Sequence, residues 1–78
     1  MMEIILDAGF LGEKEAAHDY LQEMLNLPDY YGRNLDALYD CLSERDDLTL
    51  VIINSEGAGE YFEKLLPVFK DACAVDII

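Results

Sequence analysis

The stretch LPDYYGRNLDALYDCL, residues Leu27–Leu42, decides how this chain folds. Pro28 ends any helix that precedes it, because proline lacks an amide hydrogen and disfavours helical backbone in the residue before it. Asn34 is a favourable N-cap, so we predict that a helix begins there and runs to about Ser43. Apolar side chains at helical spacing mark its buried face, at Leu35, Leu38 and Leu42.

The residues on either side of this stretch predict five further elements. Upstream, Met2–Leu6 is expected to form a short strand buried on both faces, and Glu13–Leu25 a helix. Downstream, Leu48–Ile53 is almost wholly apolar and β-branched, which is typical of a central buried strand. Glu60–Ala72 is predicted to be helical and Val75–Ile78 to be a last strand.

This order predicts a single α/β domain spanning residues 1–78, because strands joined by helical crossovers pair in parallel. We expect a three-stranded parallel sheet packed with three to four helices. Pro67 should kink the last helix or divide it in two. Tyr31 is expected to join the core, whereas His18 lies near the polar side of its helix and is expected to face solvent.

The charge balance is strongly acidic. The 78 residues include 17 acidic and 5 basic side chains, which gives a net charge of −12. Nucleic-acid binding requires clustered lysine and arginine, so we exclude nucleic acid as a ligand and expect a basic partner. The other interpretation is an acidic surface that serves only solubility.

Several other functions find little support in the sequence. Cys41 and Cys73 lack zinc-ligand spacing, and the acidic residues do not follow the spacing of a calcium-binding loop. No lysine closely follows the segment Gly57–Gly59, so a tight strand-to-helix turn is the better interpretation than a phosphate loop. We therefore expect no cofactor and no metal.

The chain also lacks a basic, apolar leader at its N-terminus and any apolar run long enough to cross a membrane. We accordingly expect a cytoplasmic monomer with no membrane contact.

One face of the predicted helix after Asn34 carries polar side chains at spacings of three and four, namely Asp36, Tyr39, Asp40 and Ser43. Asp36 and Asp40 repel each other across one helical turn, at a cost of a few tenths of a kcal/mol. A local conflict that the fold does not require indicates a binding surface. An acid–base pair in an enzyme is the alternative, but no histidine lies near these carboxylates in sequence, so we expect a protein without catalytic activity.

Taken as a whole, Leu27–Leu42 resembles the barstar family of intracellular ribonuclease inhibitors without a gap. Leu48–Ile53 and Pro67–Ala72 resemble the middle strand and the last helix of that family, and the two cysteines resemble a family pair. The resemblance covers most of the chain. It implies a sheet in which the first strand lies in the middle, in the order 2-1-3.

The resemblance also implies a mechanism, in which the turn and the second helix plug the active site of a ribonuclease. The aspartate that matches Asp40 enters the pocket of a substrate phosphate, because a carboxylate accepts charge-assisted hydrogen bonds as a phosphate does. Asp36 would add a second charge pair. The remaining contact residues that the resemblance implies are Tyr30, Gly32, Asn34, Tyr39 and Asp71.

The chain departs from the family pattern at the rim of this surface. Arg33 stands where the family has an acid, and Tyr39 and Arg45 stand where tryptophans are expected. These changes suggest a different cognate partner. A basic ribonuclease or related nuclease is the expected partner, and the alternative is an interaction or immunity module for a basic protein that is not a nuclease.

Overall fold

The protein, described here by a computed structural model that covers residues 2–78, has an α/β architecture. Three parallel strands and three α-helices confirm the predicted fold class. The elements in chain order are β1 (Met2–Asp7), a 3-10 helix (Ala8–Phe10), α1 (Lys14–Met24), α2 (Leu35–Ser43), β2 (Leu48–Ile53), α3 (Glu60–Ala72) and β3 (Ala74–Ile77).

The strand order is β1-β2-β3, so the expected order 2-1-3 is wrong. β1 pairs along its full length with one side of β2, where Ile4 lies beside Leu50. β3 pairs with the other side, where Val75 lies beside Leu50. β2 is the most apolar strand and gains most from neighbours on both sides, whereas β1 carries Glu3, a charged residue suited to a sheet edge.

The sheet is covered on one face only. Along β2, buried residues at Leu48, Leu50 and Ile52 alternate with half-buried ones, and Ile5 of β1 is 57% exposed on the outer face. The prediction that β1 is buried on both faces is therefore wrong. The alternation is typical of a two-layer fold, in which helices pack against one side of the sheet.

The core lies between the inner face of the sheet and the helices. Its fully buried larger apolar side chains come from β1, β2 and the three α-helices, and from the residues that directly follow the 3-10 helix and α1: Leu6, Leu11, Leu21, Leu25, Leu38, Leu42, Leu50, Ile52, Leu65 and Phe69. α2 packs mainly against α3. This contact gives α2 a fixed support and leaves its opposite face at the surface.

α3 runs through Pro67 as one helix, so the expected division into two helices does not occur. Proline removes one helical hydrogen bond, to the carbonyl of Glu63, and both residues are exposed, where water can satisfy that carbonyl. The buried side chains Phe62, Leu65 and Phe69 lie on both sides of the proline and hold the helix against the core.

The loop before α3 is a tight strand-to-helix turn, as predicted for Gly57–Gly59. Gly57 and Gly59 have φ angles of 72° and 113°, in the region that favours glycine. A Cβ atom on Gly59 would lie 2.9 Å from the Cα atom of Gly12. The glycines thus allow two loops to pass closely, on the side of the domain where α1 and α3 begin.

Candidate functional site

The turn between α1 and α2, residues 27–34, is fixed at both ends. The amide of Leu27 donates to the carbonyl of Gln22 at 2.9 Å, and the amide of Tyr31 donates to the carbonyl of Pro28 at 2.9 Å. Leu27 and Tyr31 are buried, the latter as predicted. Tyr30 between them is 88% exposed, so a rigid turn presents a whole aromatic ring to solvent.

Asn34 joins this turn to α2. Its Oδ1 accepts a hydrogen bond from the amide of Ala37 at 2.8 Å, which makes Asn34 the N-cap as predicted. Its Nδ2 donates to the carbonyl of Gly32 at 3.3 Å. One side chain therefore caps the helix and also holds the last residues of the turn.

The outer face of α2 carries the four polar residues that its spacing predicted, and all are exposed: Asp36, Tyr39, Asp40 and Ser43. Leu38 and Leu42 are buried on the opposite side. The hydroxyl of Ser43 donates to the carbonyl of Asp40 at 3.1 Å, so its proton is already engaged within the helix. We call the turn 27–34 and this face of α2 the turn-and-helix surface.

A pocket of about 310 Å³ opens in this surface. Three of the predicted contact residues, Tyr30, Gly32 and Asp40, line it together. Asp36, Tyr39, Ser43 and Asn34 belong to the turn-and-helix surface but lie outside the pocket. Asp71 is exposed near the end of α3 and does not line the pocket.

Glu44 is a pocket residue that was not predicted from the sequence. It is the C-cap of α2 and lines the pocket with Asp40. Its spacing in the sequence could have indicated this position, because Asp36, Asp40 and Glu44 follow one another at intervals of four residues. The surface therefore displays a row of three carboxylates, with Leu27, Pro28 and Cys41 supplying apolar lining beside it.

The two arginines near this surface both bind polar groups of α1 or of the residue that follows it. Arg33 lies 2.5 Å from the carboxylate of Asp19 on α1 and also contacts Gln22. Arg45 donates to the carbonyl of Leu25, at the end of α1, where a cation also interacts favourably with the helix dipole. The turn-and-helix surface therefore remains predominantly acidic.

His18 is fully buried, so the expectation that it faces solvent is wrong. Its Nδ1 and Nε2 atoms each lie 2.6 Å from a tyrosine hydroxyl, of Tyr31 and Tyr61 respectively. The buried residues of α1 are Ala17, His18 and Leu21. Apolar spacing alone would place Ala16 and Met24 on this face, but both are exposed, so the buried face is rotated towards His18.

Burial determines the titration of these groups. It lowers the pKa of His18, an effect that the charges of Arg33 and Lys14 increase and that of Asp19 opposes. It raises the pKa values of Tyr31 and Tyr61, so both hydroxyls remain protonated near neutral pH.

No group of three or more histidine, cysteine or acidic side chains within residues 2–78 is placed to hold a metal ion. Cys41 and Cys73 are half-buried thiols whose pKa values burial raises, so neither is activated as a nucleophile. None of the helices in this part of the chain is long and apolar enough to cross a membrane. The arrangement is suited to binding a cationic surface through carboxylates and an exposed tyrosine.

Comparison with known proteins gives two results that agree with this geometry. A family model described as Barstar (barnase inhibitor) matches residues 1–76. The chain is 45% identical over 78 residues to a Bacillus subtilis (strain 168) protein named "Putative ribonuclease inhibitor YrdF", an alignment that covers 92% of this chain and 86% of that relative. On the strength of the family match across almost its entire length, this chain belongs to the Barstar (barnase inhibitor) family.

Proposed function

We propose that this protein binds a basic ribonuclease, or a related nuclease toxin, and inhibits it by covering the active site with the turn-and-helix surface. The observation that carries the proposal is the placement of Asp40, exposed on a capped helix and beside Tyr30 and Gly32 in one pocket. Family membership and the printed name of the relative support the same role. The role is that of an inhibitor without catalytic activity, acting in the cytoplasm as a monomer.

Asp40 is the residue that substitutes for a substrate phosphate. A nuclease binds phosphate through arginine, lysine or histidine side chains, which donate hydrogen bonds to anionic oxygens. A carboxylate offers two such oxygens at a similar spacing. The rigid helix and the cap at Asn34 hold the carboxylate in place before binding, which reduces the entropy lost on association.

The neighbouring residues extend the contact. Asp36 lies one turn before Asp40 on the same face and provides a second charge for a basic partner. Tyr30 and Tyr39 are exposed and amphipathic, and tyrosine is frequent at the centres of protein interfaces. Gly32, Asn34 and Ser43 complete the polar surroundings. Asp71 on α3 would contact the periphery of a partner.

The proposal is tested by Asp40→Ala in a ribonuclease inhibition assay, with barnase and with secreted basic nucleases of the host as the enzymes. We expect binding to weaken by at least about 2–5 kcal/mol, because cations of the nuclease would remain buried without a partner. The barnase–barstar complex is itself a known example, in which removing the barstar aspartate costs about 7.7 kcal/mol. The free energy of unfolding should change by less than about 0.5 kcal/mol, since the residue is exposed.

Asp76→Ala is the matched control, because it removes the same charge from an exposed site on β3. It should inhibit like the wild type. Equal inhibition by Asp40→Ala and the wild type would contradict the proposal. If the wild type bound a nuclease without inhibiting it, the function of an acidic interaction module would be favoured instead.

A further inference from the structure

Beneath the turn-and-helix surface, a buried hydrogen-bonded cluster joins three elements. His18 of α1 contacts the hydroxyl of Tyr31, in the turn, and that of Tyr61, on α3, both at 2.6 Å. The ring of His18 is tilted against that of Tyr31, with centroids 5.7 Å apart, and packs edge to face with that of Tyr61, with centroids 5.5 Å apart. The proposed contact with a nuclease uses none of these atoms, yet Tyr31 directly follows Tyr30, which that contact does use.

The two contacts use both nitrogens of a neutral imidazole. A neutral ring has one nitrogen that donates and one that accepts, so one tyrosine accepts from the ring and the other donates to it. A protonated ring donates from both nitrogens. The tyrosine that formerly donated then loses its acceptor, and in the tautomer in which Tyr31 donates to Nδ1 this loss falls on a buried residue.

The charged groups around His18 favour the neutral ring. Arg33 comes from the turn and Lys14 from α1, and both oppose a positive charge on His18. The carboxylate of Asp19, on α1, favours a positive charge on His18. Arg33 lies 2.5 Å from this carboxylate and neutralises much of its effect. From α3 the group that faces the ring is the hydroxyl of Tyr61.

We propose that His18 is a positioning residue for the turn: its neutral imidazole holds Tyr31, and hence Tyr30 and Gly32, in the geometry that a partner binds, and its protonation releases the turn. This inference rests on the proposed function and adds to it a dependence on acid pH. The turn itself provides the readout, because the amide of Tyr31 donates to the carbonyl of Pro28 and so reports its closure.

The test is amide hydrogen exchange measured by NMR on the protein alone. In Tyr31→Phe, we expect the protection of amide 31 to fall about fivefold relative to amide 38 of α2, which is the effect of about one hydrogen bond. Tyr61→Phe is the matched control, since it removes the same atom from the α3 side. It should change that ratio by less than about twofold. Unchanged protection in Tyr31→Phe, or equal losses in both variants, would overturn the proposal.

The second measurement is made on the wild type and uses one variant as its control. In the wild type, the protection of amide 31 relative to amide 38, corrected for intrinsic exchange rates, should fall as the pH is lowered from 7.5, with the same midpoint as the ring signals of His18. His18→Gln retains a donor and an acceptor without titrating, so its ratio should stay constant. A wild-type ratio that does not change while His18 titrates would refute the release step.

Binding to barnase separates this inference from the proposed function. Tyr31→Phe should raise Kd severalfold, because only molecules with a closed turn are competent to bind. If Asp40→Ala binds barnase as the wild type does, the proposed function fails, and the exchange measurements alone decide the role of His18. If Asp40→Ala loses affinity while Tyr31→Phe retains it, the positioning role is wrong and the proposed function stands.

Discussion

Glu44 continues the row of carboxylates on α2 beyond Asp40, at the rim of the pocket. An exposed charge at the edge of an interface acts mainly on the rate of association. We therefore predict that Glu44→Gln slows association with a basic nuclease by about two- to fivefold and leaves the dissociation rate nearly unchanged. Stopped-flow measurement of both rates checks this prediction.

The control for Glu44 is Glu56→Gln, which removes an equal charge from the exposed loop after β2. A smaller effect of Glu56→Gln would show that the position of the charge matters. If both variants slow association equally, Glu44 contributes only to the net charge, and its place in the pocket has no particular role.

The site residues differ in how far the sequence could reveal them. Asp36 and Asp40 could be found because helical periodicity places them opposite Leu38. The burial of His18 could not be predicted from the sequence. A polar residue at the border of an apolar stripe is buried only if side chains from distant segments form hydrogen bonds with it. Those partners include Tyr61, which lies 43 residues away in the chain.

At the scale of elements, the cap at Asn34 connects the rigidity of the turn to that of α2. Asn34→Ala removes the acceptor for the amide of Ala37, and we expect it to lower the free energy of unfolding by about 1 kcal/mol. Urea denaturation provides the measurement. Asn34→Ser keeps a side-chain oxygen at the N-cap and should lose clearly less. Equal losses in the two variants would show that capping is not the cause.

The helices were more predictable than the arrangement of the strands. α2 and α3 have the predicted bounds because caps, glycines and apolar spacing are local signals. The order of the strands depends on which strand gains most from two neighbours, and both β1 and β2 are apolar segments of six residues. The acidic residues Glu3 and Asp7 distinguished β1 as an edge strand in the sequence, and the resemblance implied a different order.

At the scale of the whole molecule, His18 makes stability depend on pH. Its pKa is lowered in the folded state, so between that value and about 6.5 the unfolded chain binds more protons. The stabilisation is complete above about pH 6.5, decreases as the pH falls below that value and is lost below the folded-state pKa. We predict that the wild type loses its stability advantage over His18→Gln as the pH falls from 8 to 5.

Denaturant titrations of both proteins across this range measure that difference. The other titratable groups are common to both proteins, so their contributions cancel in the comparison. A difference that stays constant from pH 8 to pH 5 would mean that burial does not lower the pKa of His18.

The net charge of −12 acts over longer distances than any single contact. A basic nuclease approaching this protein is attracted as soon as it comes within a Debye length, which is about 30 Å at 0.01 M salt and about 3 Å at 1 M. Steering of this kind accelerates association by a factor of about 10 to 1,000.

The association rate should therefore fall at least about tenfold between 0.01 M and 1 M salt. The dissociation rate depends on the contacts already formed and should change much less. Stopped-flow mixing with barnase at the two ionic strengths measures both rates. An association rate independent of salt would mean that the acidic residues beyond the turn-and-helix surface take no part in finding the partner, because only interactions shorter than a few ångströms escape screening.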